Sequence, residues 1–138
     1  MQATKLGKPH VKILLWLLYK RVGKKGAIVK AIRCHDTKYF DELFQWGMIT
    51  ITLSLKDTKW RRGTHYRLTR KGELVVKCAI MLLRLMGVRI NKMSDILSND
   101  LVMDFFMSCA SLLRERRPDE LNHLLKLLCN IKTAPSQL

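Results

Sequence analysis

Residues able to act as nucleophiles, metal ligands or proton carriers are present in this chain, but none are spaced for catalysis. Cys34, Cys78, Cys109 and Cys129 lie far apart, with neither a C-x-x-C pair nor a Cys/His spacing suited to tetrahedral zinc. Cys34 and His35 adjoin without a second pair of ligands and read as part of a turn. His10, His35, His65 and His123 are scattered over different predicted elements. There is no Gly-rich phosphate loop, no pair of catalytic carboxylates and no plausible Ser–His–Asp order. The expectation is a protein that is not an enzyme and uses no cofactor or metal.

The chemistry that the residues do favour is the binding of polyanions. Lys56, Lys59, Arg61 and Arg62 crowd a turn-rich stretch ending at Gly63, with Trp60 among them. Lys24, Lys25, Lys30 and Arg33 form a second group. The 138 residues carry 26 Lys and Arg against 11 Asp and Glu, a formal net charge of +15. Residues 1–92 hold 21 basic and 5 acidic side chains, a net +16, whereas residues 93–138 hold 5 and 6. Self-repulsion of this size destabilises a compact chain, so a polyanionic partner is its natural explanation. Lysine-rich surfaces of the thermophile kind carry matching glutamates, and here they are missing.

The composition, 48% hydrophobic, supplies a real core and excludes disorder throughout. The cysteines sit in apolar helical contexts and are expected to be buried free thiols, which favours a reducing, cytoplasmic setting. Met1–Pro9 has no apolar leader with a small-residue cleavage site, and Val11–Leu18 is interrupted by Lys12 and too short to span a bilayer; no membrane partner is expected.

The elements that must position these cations follow from periodicity. Ile13, Leu14, Leu17, Leu18 and Val22 predict a first helix entered at Pro9 and broken by Gly23-Lys24-Lys25-Gly26. A short second helix is expected over Ala27–Cys34. A third follows the turn His35-Asp36-Thr37, carries Phe40, Leu43, Phe44 and Trp46, and ends at Gly47. Ile49–Leu55 and Thr64–Thr69 alternate apolar and polar, which predicts two strands of a hairpin. Thr69 is the expected cap of a fourth helix reaching Gly87, and residues 88–93 are a connector. A long helix from Ser94 or Asp95 and a last helix from Pro118 complete the chain, the last with Leu121, Leu124, Leu125, Leu128 and Ile131 on its inner face. Met81, Met86, Met103 and Met107 are expected to fill core.

Tyr66-Arg67-Leu68-Thr69-Arg70-Lys71-Gly72 resembles the Y-x-L-T-x-x-G stretch of MarR-like and PadR-like regulators. Leu43-Phe44-Gln45-Trp46-Gly47-Met48-Ile49 is similar to the L-x-x-x-G-L-I ending of their recognition helix. Both motifs fall within residues 9–87, at the expected separation across a hairpin. The resemblance implies a mainly α, α+β winged-helix fold: a three-helix helix-turn-helix with a two-stranded β-hairpin wing, followed by C-terminal helices. Residues 1–92 would be the DNA-binding domain and residues 93–138 a helical dimerisation region.

It further implies a transcription regulator that binds double-stranded DNA, with helix three in the major groove and the wing near the minor groove or backbone. Carried onto this chain, Thr37, Lys38, Tyr39 and Gln45 become groove contacts. Lys24, Lys25, Lys30, Arg33 and the wing residues Lys56, Lys59, Arg61 and Arg62 become phosphate contacts. Trp60 would either wedge into a groove or pack against the hairpin. Asp41 and Glu42 depart from the pattern; they are expected to face away, pair with cations or accept from cytosine. The same family pairs copies through helices in the C-terminal position, so a homodimer is expected through Leu97, Leu101, Phe105, Phe106, Leu112, Leu124 and Leu128, without a small-molecule effector. Two other functions fit the same residues: a segregation or replication-origin factor of a plasmid or virus, and a winged-helix interaction module of a transcription or replication complex.

Overall fold

The computed structural model describes residues 5–34, 36–52 and 65–133, apart from the side chains of residues 132 and 133. Its order is α1 (Lys8–Lys20), β1 (Val22–Lys24), α2 (Lys25–Ile32), α3 (Lys38–Gln45), β2 (Ile49–Ile51), β3 (His65–Leu68), α4 (Arg70–Leu85), α5 (Ser94–Leu97), α6 (Asp100–Leu113) and α7 (Pro118–Thr133). The protein is thus mainly helical with a small antiparallel sheet. The helices form where apolar residues recur at three- and four-residue spacing, and each turns that stripe inward.

The sheet departs from expectation in having three strands, ordered β1-β3-β2. Val22-Gly23-Lys24, expected to belong partly to a helix and partly to a break, pairs with β3 in the register Val22↔Arg67, Gly23↔Tyr66 and Lys24↔His65. Three residues are too few to show a period of two, and their partner lies more than forty residues away. The two anticipated strands pair as expected, with Ile49 opposite Leu68 and Ile51 opposite Tyr66. The basic connection between them, residues 53–64, lies outside the described residues.

The two motifs read from the sequence dock onto each other. Thr69 N–H donates to the Met48 carbonyl at 3.0 Å. The Thr69 hydroxyl donates to the Gly47 carbonyl at 2.5 Å and accepts from Gly72 N–H at 3.0 Å, capping α4 as anticipated. Gly47, at φ 73°, turns the chain out of α3 so that Met48 and Ile49 fall into the core. Gly72 is required by contact: a Cβ there would lie 2.0 Å from the Met48 carbonyl oxygen. The start of α4 and the end of α3 therefore meet backbone to backbone.

The long helix expected from Ser94 or Asp95 is divided in two. Ser94–Leu97 is a single turn, after which Asn99 caps α6 by accepting from Leu101 N–H and Val102 N–H at 3.0 and 3.2 Å. The connector before it is tied down from both sides. Arg84 donates to the Ile90 carbonyl at 2.7 Å, and the Asp95 carboxylate accepts from the backbone of Asn91 and Lys92, which lowers its pKa.

One apolar core runs through the described chain, from Leu6 and Leu14 through Phe40, Val75 and Leu83 to Phe106 and Leu121. Helices α6 and α7 both lie on α4 and contribute to that core rather than building one of their own. Two residues expected to face inward prove to be exposed, Met86 and Ile131. Of the four thiols, only Cys78 is buried; Cys34 and Cys109 are half-buried and Cys129 is exposed. Among the described residues no helix is long and apolar enough to cross a membrane.

Candidate nucleic-acid interface

Helix α3 has two faces of opposite character. Phe40 and Leu43 are buried, with Phe40 stacked on Tyr66 at 5.1 Å between centroids. Residues 38, 41 and 45 recur along the helix, with 44 beside them, so Lys38, Asp41, Phe44 and Gln45 share the exposed side. That face offers a donor and cation, an acceptor, an apolar ring and an amide. Its formal charge is zero, so its contribution is suited to discrimination rather than to bulk attraction.

The acids that complicated the sequence reading separate by one step of the helix. Asp41 points outward, whereas Glu42 turns in and accepts from Nε2 of His10 at 2.7 Å. His10 is 3% exposed. Its Nδ1 accepts from Gly7 N–H at 2.8 Å, which leaves the ring proton on Nε2 and the imidazole neutral. Burial is the main cause of its lowered pKa, opposed by Glu42 and reinforced by Arg114 and Lys38. Trp46 lies 4.9 Å from the imidazole, and the Arg114 guanidinium sits 4.3 Å over Trp46. Tyr39, expected in a groove, is half-buried edge-on to His10 at 5.0 Å, with Lys38 over its outer face. The ring thus helps anchor α3 to α1, a role that sequence spacing does not reveal.

The cations around α2 are placed as follows. Lys24 ends β1 and is exposed, as are Lys30 within α2 and Arg33 immediately after it. Arg33 adopts φ 56°, a left-handed cap that directs the chain toward α3. Lys25 is only half-exposed, its ammonium 5.5 Å from the Phe40 ring centroid. Thr37 is exposed just before α3, where Asp36 rather than Thr37 accepts from Lys38 N–H at 3.0 Å. His35, Lys56, Lys59, Trp60, Arg61 and Arg62 lie outside the described residues.

No protein-family model, curated protein or solved structure matches this chain. The site must therefore be argued from its own geometry.

Further exposed cations, not singled out in the sequence, are Arg21, Arg67 and Arg70. Arg21, Arg67 and Glu73 border an open cleft of about 240 Å³. The Glu73 carboxyl is held below its usual range by a 2.8 Å contact with Lys77, then by Arg21 and Arg70. The signal for Arg67 was its outward position in an alternating strand, visible once the register is known. Among the described residues no three His, Cys, Asp or Glu side chains gather as a metal site.

The residues expected to pair two copies divide by burial. Leu101 and Leu112 are 80% and 73% exposed, and Leu97, Phe105 and Leu124 are half-buried. Phe106 and Leu128 are buried within this chain's own core and cannot form part of an intermolecular face. Seven leucines and phenylalanines spread over three amphipathic helices cannot be assigned to inner and outer faces until it is known which neighbours each helix has.

Proposed function

We propose that this protein binds double-stranded DNA as a winged helix-turn-helix, gripping phosphates with its basic N-terminal region and presenting α3 to the major groove. The observation that carries the reading is the segregation of charge. Residues 1–92 carry a net +16, while the outer face of the short helix α3 within them is itself electrically neutral. Phosphate neutralisation by the surrounding cations then supplies affinity, and the neutral face is left to read base edges. The element order and the β1-β3-β2 sheet are compatible with a winged helix, as is the docking of the Gly47-Met48 and Thr69–Gly72 motifs.

On that face Gln45 suits adenine, Asp41 suits the cytosine amino group and Phe44 suits a thymine methyl. Lys24, Lys30 and Arg33 are the described phosphate contacts, joined by Lys56, Lys59, Arg61 and Arg62 of the loop. Regulation of transcription is the role this grip fits best.

Fluorescence anisotropy of a labelled duplex, titrated across salt, tests the proposal. If about six phosphates are engaged, affinity should fall by roughly three decades between ~50 and ~200 mM salt. An affinity insensitive to salt, or no binding to any duplex at low salt, overturns it. Selection of bound fragments followed by footprinting then separates the roles. One discrete palindrome marks a regulator, and clustered repeats mark a segregation or origin factor.

A further inference from the structure

An open groove of about 420 Å³ lies where α1, the end of α2 and α5 come together. Lys12 and Trp16 enter it from one turn of α1, Met93 and Leu97 from one turn at α5, and Ala31, Ile32 and Arg33 from the end of α2. The Trp16 ring is held against the bare backbone of β1, where a Cβ on Gly23 would collide with it. Trp16, Met93 and Leu97 are only half-buried, and Ala31 is exposed. Three elements thus leave apolar surface open to solvent in one place.

The charge of this groove has one sign. Lys12 and Arg33 are its ionisable residues, and among the described residues neither forms an ion pair. Acids close in sequence do not line it and are engaged elsewhere. Asp36 accepts from Lys38 N–H, Asp95 accepts from the backbone of Asn91 and Lys92, and Asp100 meets Lys8 at 3.9 Å.

We infer that this groove docks an acidic amphipathic segment of a partner protein, its apolar side chains against Trp16, Met93 and Leu97 and its carboxylates on Lys12 and Arg33. The occupant follows from the lining. A nucleic-acid backbone would satisfy the cations but has nothing to cover an indole, a thioether and a leucine. An uncharged peptide would cover those and leave both cations unanswered. Tryptophan and arginine are also the residue types that most often carry binding energy at protein interfaces. The net +15 of the chain draws acidic partners in, and the apolar contacts decide which of them stay. Arg33 is shared with the proposed phosphate contacts, so an occupied groove competes with duplex for that side chain. This consequence rests on the DNA reading; the docking does not.

Fluorescence anisotropy tests the docking. The probe is a labelled helical peptide with two leucines one turn apart, flanked by glutamates, titrated with the full chain near physiological salt. Replacing both leucines by serine keeps its charge and should weaken binding at least about tenfold. Ala31→Glu puts a carboxylate at an exposed position in the groove and should also weaken the leucine probe at least about tenfold. Arg33→Gln should weaken it about threefold or more. Lys126→Gln makes the same change in net charge on an exposed part of α7 and should leave binding unchanged. Equal binding of the leucine and serine probes shows only the attraction of acids to a basic chain and overturns the proposal. Equal effects of Arg33→Gln and Lys126→Gln overturn it too, as does a leucine probe that does not bind. A chain that self-associates in sedimentation and becomes monomeric on Ala31→Glu makes a second copy the occupant and rejects the acidic partner. If Ala31→Glu does not fold, the comparison of Arg33→Gln with Lys126→Gln decides. No duplex is present, so failure here leaves the DNA reading untouched.

Discussion

His10 on α1 donates from Nε2 to the Glu42 carboxylate on α3 at 2.7 Å while its Nδ1 accepts from the Gly7 backbone. A neutral imidazole is thereby built into the joint that fixes the outward angle of α3. Arg114, from the end of α6, closes the same joint over Trp46. The helix proposed to read DNA is thus held by side chains from both ends of the sequence.

Stability should consequently depend on pH near neutrality. Burial lowers the His10 pKa in the folded chain below its ordinary value of 6.5. Between those two values the unfolded chain binds more proton than the folded one, so acid favours unfolding. The stabilising contribution is present above about pH 6.5, is lost progressively as pH falls through that value, and levels off below the folded pKa. Urea midpoints measured from pH 7.5 to 5 should decline. In His10→Gln, which retains an acceptor and a donor, that decline should flatten; an unchanged slope would assign the pH dependence to another group.

Gly72→Ala should be among the most destabilising single methyl additions in the chain. The new Cβ would meet the Met48 carbonyl oxygen at 2.0 Å, and both partners are backbone. Separating α4 from the end of α3 should cost about 3 kcal/mol or more, read as a lower thermal midpoint. A loss below about 1 kcal/mol would mean that the close approach is not maintained.

Truncating two residues of the same helix should give opposite outcomes. Phe106→Ala leaves a cavity in the core and should cost about 3–5 kcal/mol. Leu112→Ala removes an exposed side chain and should change the stability of the monomer by no more than about 0.5 kcal/mol. Equal losses would show that the inner and outer faces of α6 are misassigned.

Thiol reactivity should follow burial. Cys129 is exposed, whereas burial pushes the Cys78 thiol up to about 11, with its Sγ 3.5 Å from the Leu121 carbonyl. At pH 8 about one part in a thousand of Cys78 would be thiolate. A disulfide reagent should modify Cys129 quickly and Cys78 only as the chain unfolds. Mass mapping that finds Cys78 modified first would contradict this packing.

Lys30→Ala and Arg33→Ala should each weaken all duplexes to a similar extent and reduce the salt slope by about one. Gln45→Ala should instead relax preference at one base pair while leaving the salt slope intact. Binding-site selection with the two kinds of variant separates grip from reading.

Much of this protein was legible in the sequence because it depends on local order. Apolar residues three and four apart can only be buried on one side of a helix, so α1, α4 and α7 were foreseeable, as were the Thr69 cap and the Gly47 exit. The excess of cations before residue 93 is a property of composition, and with it came the expectation of a polyanion. Pairings between distant residues could not be read in this way. Strand β1 exists because β3 supplies its hydrogen bonds, and no three-residue segment announces a partner so far along the chain. Asp41 and Glu42 are adjacent and alike, yet a helix rotates successive side chains by about 100°, and only the position of His10 decides which of them is paired. The leucines of α6 likewise share one composition. Their division into core and uncovered surface was decided by α4, because a hydrophobic side chain is buried only where a neighbouring element excludes water.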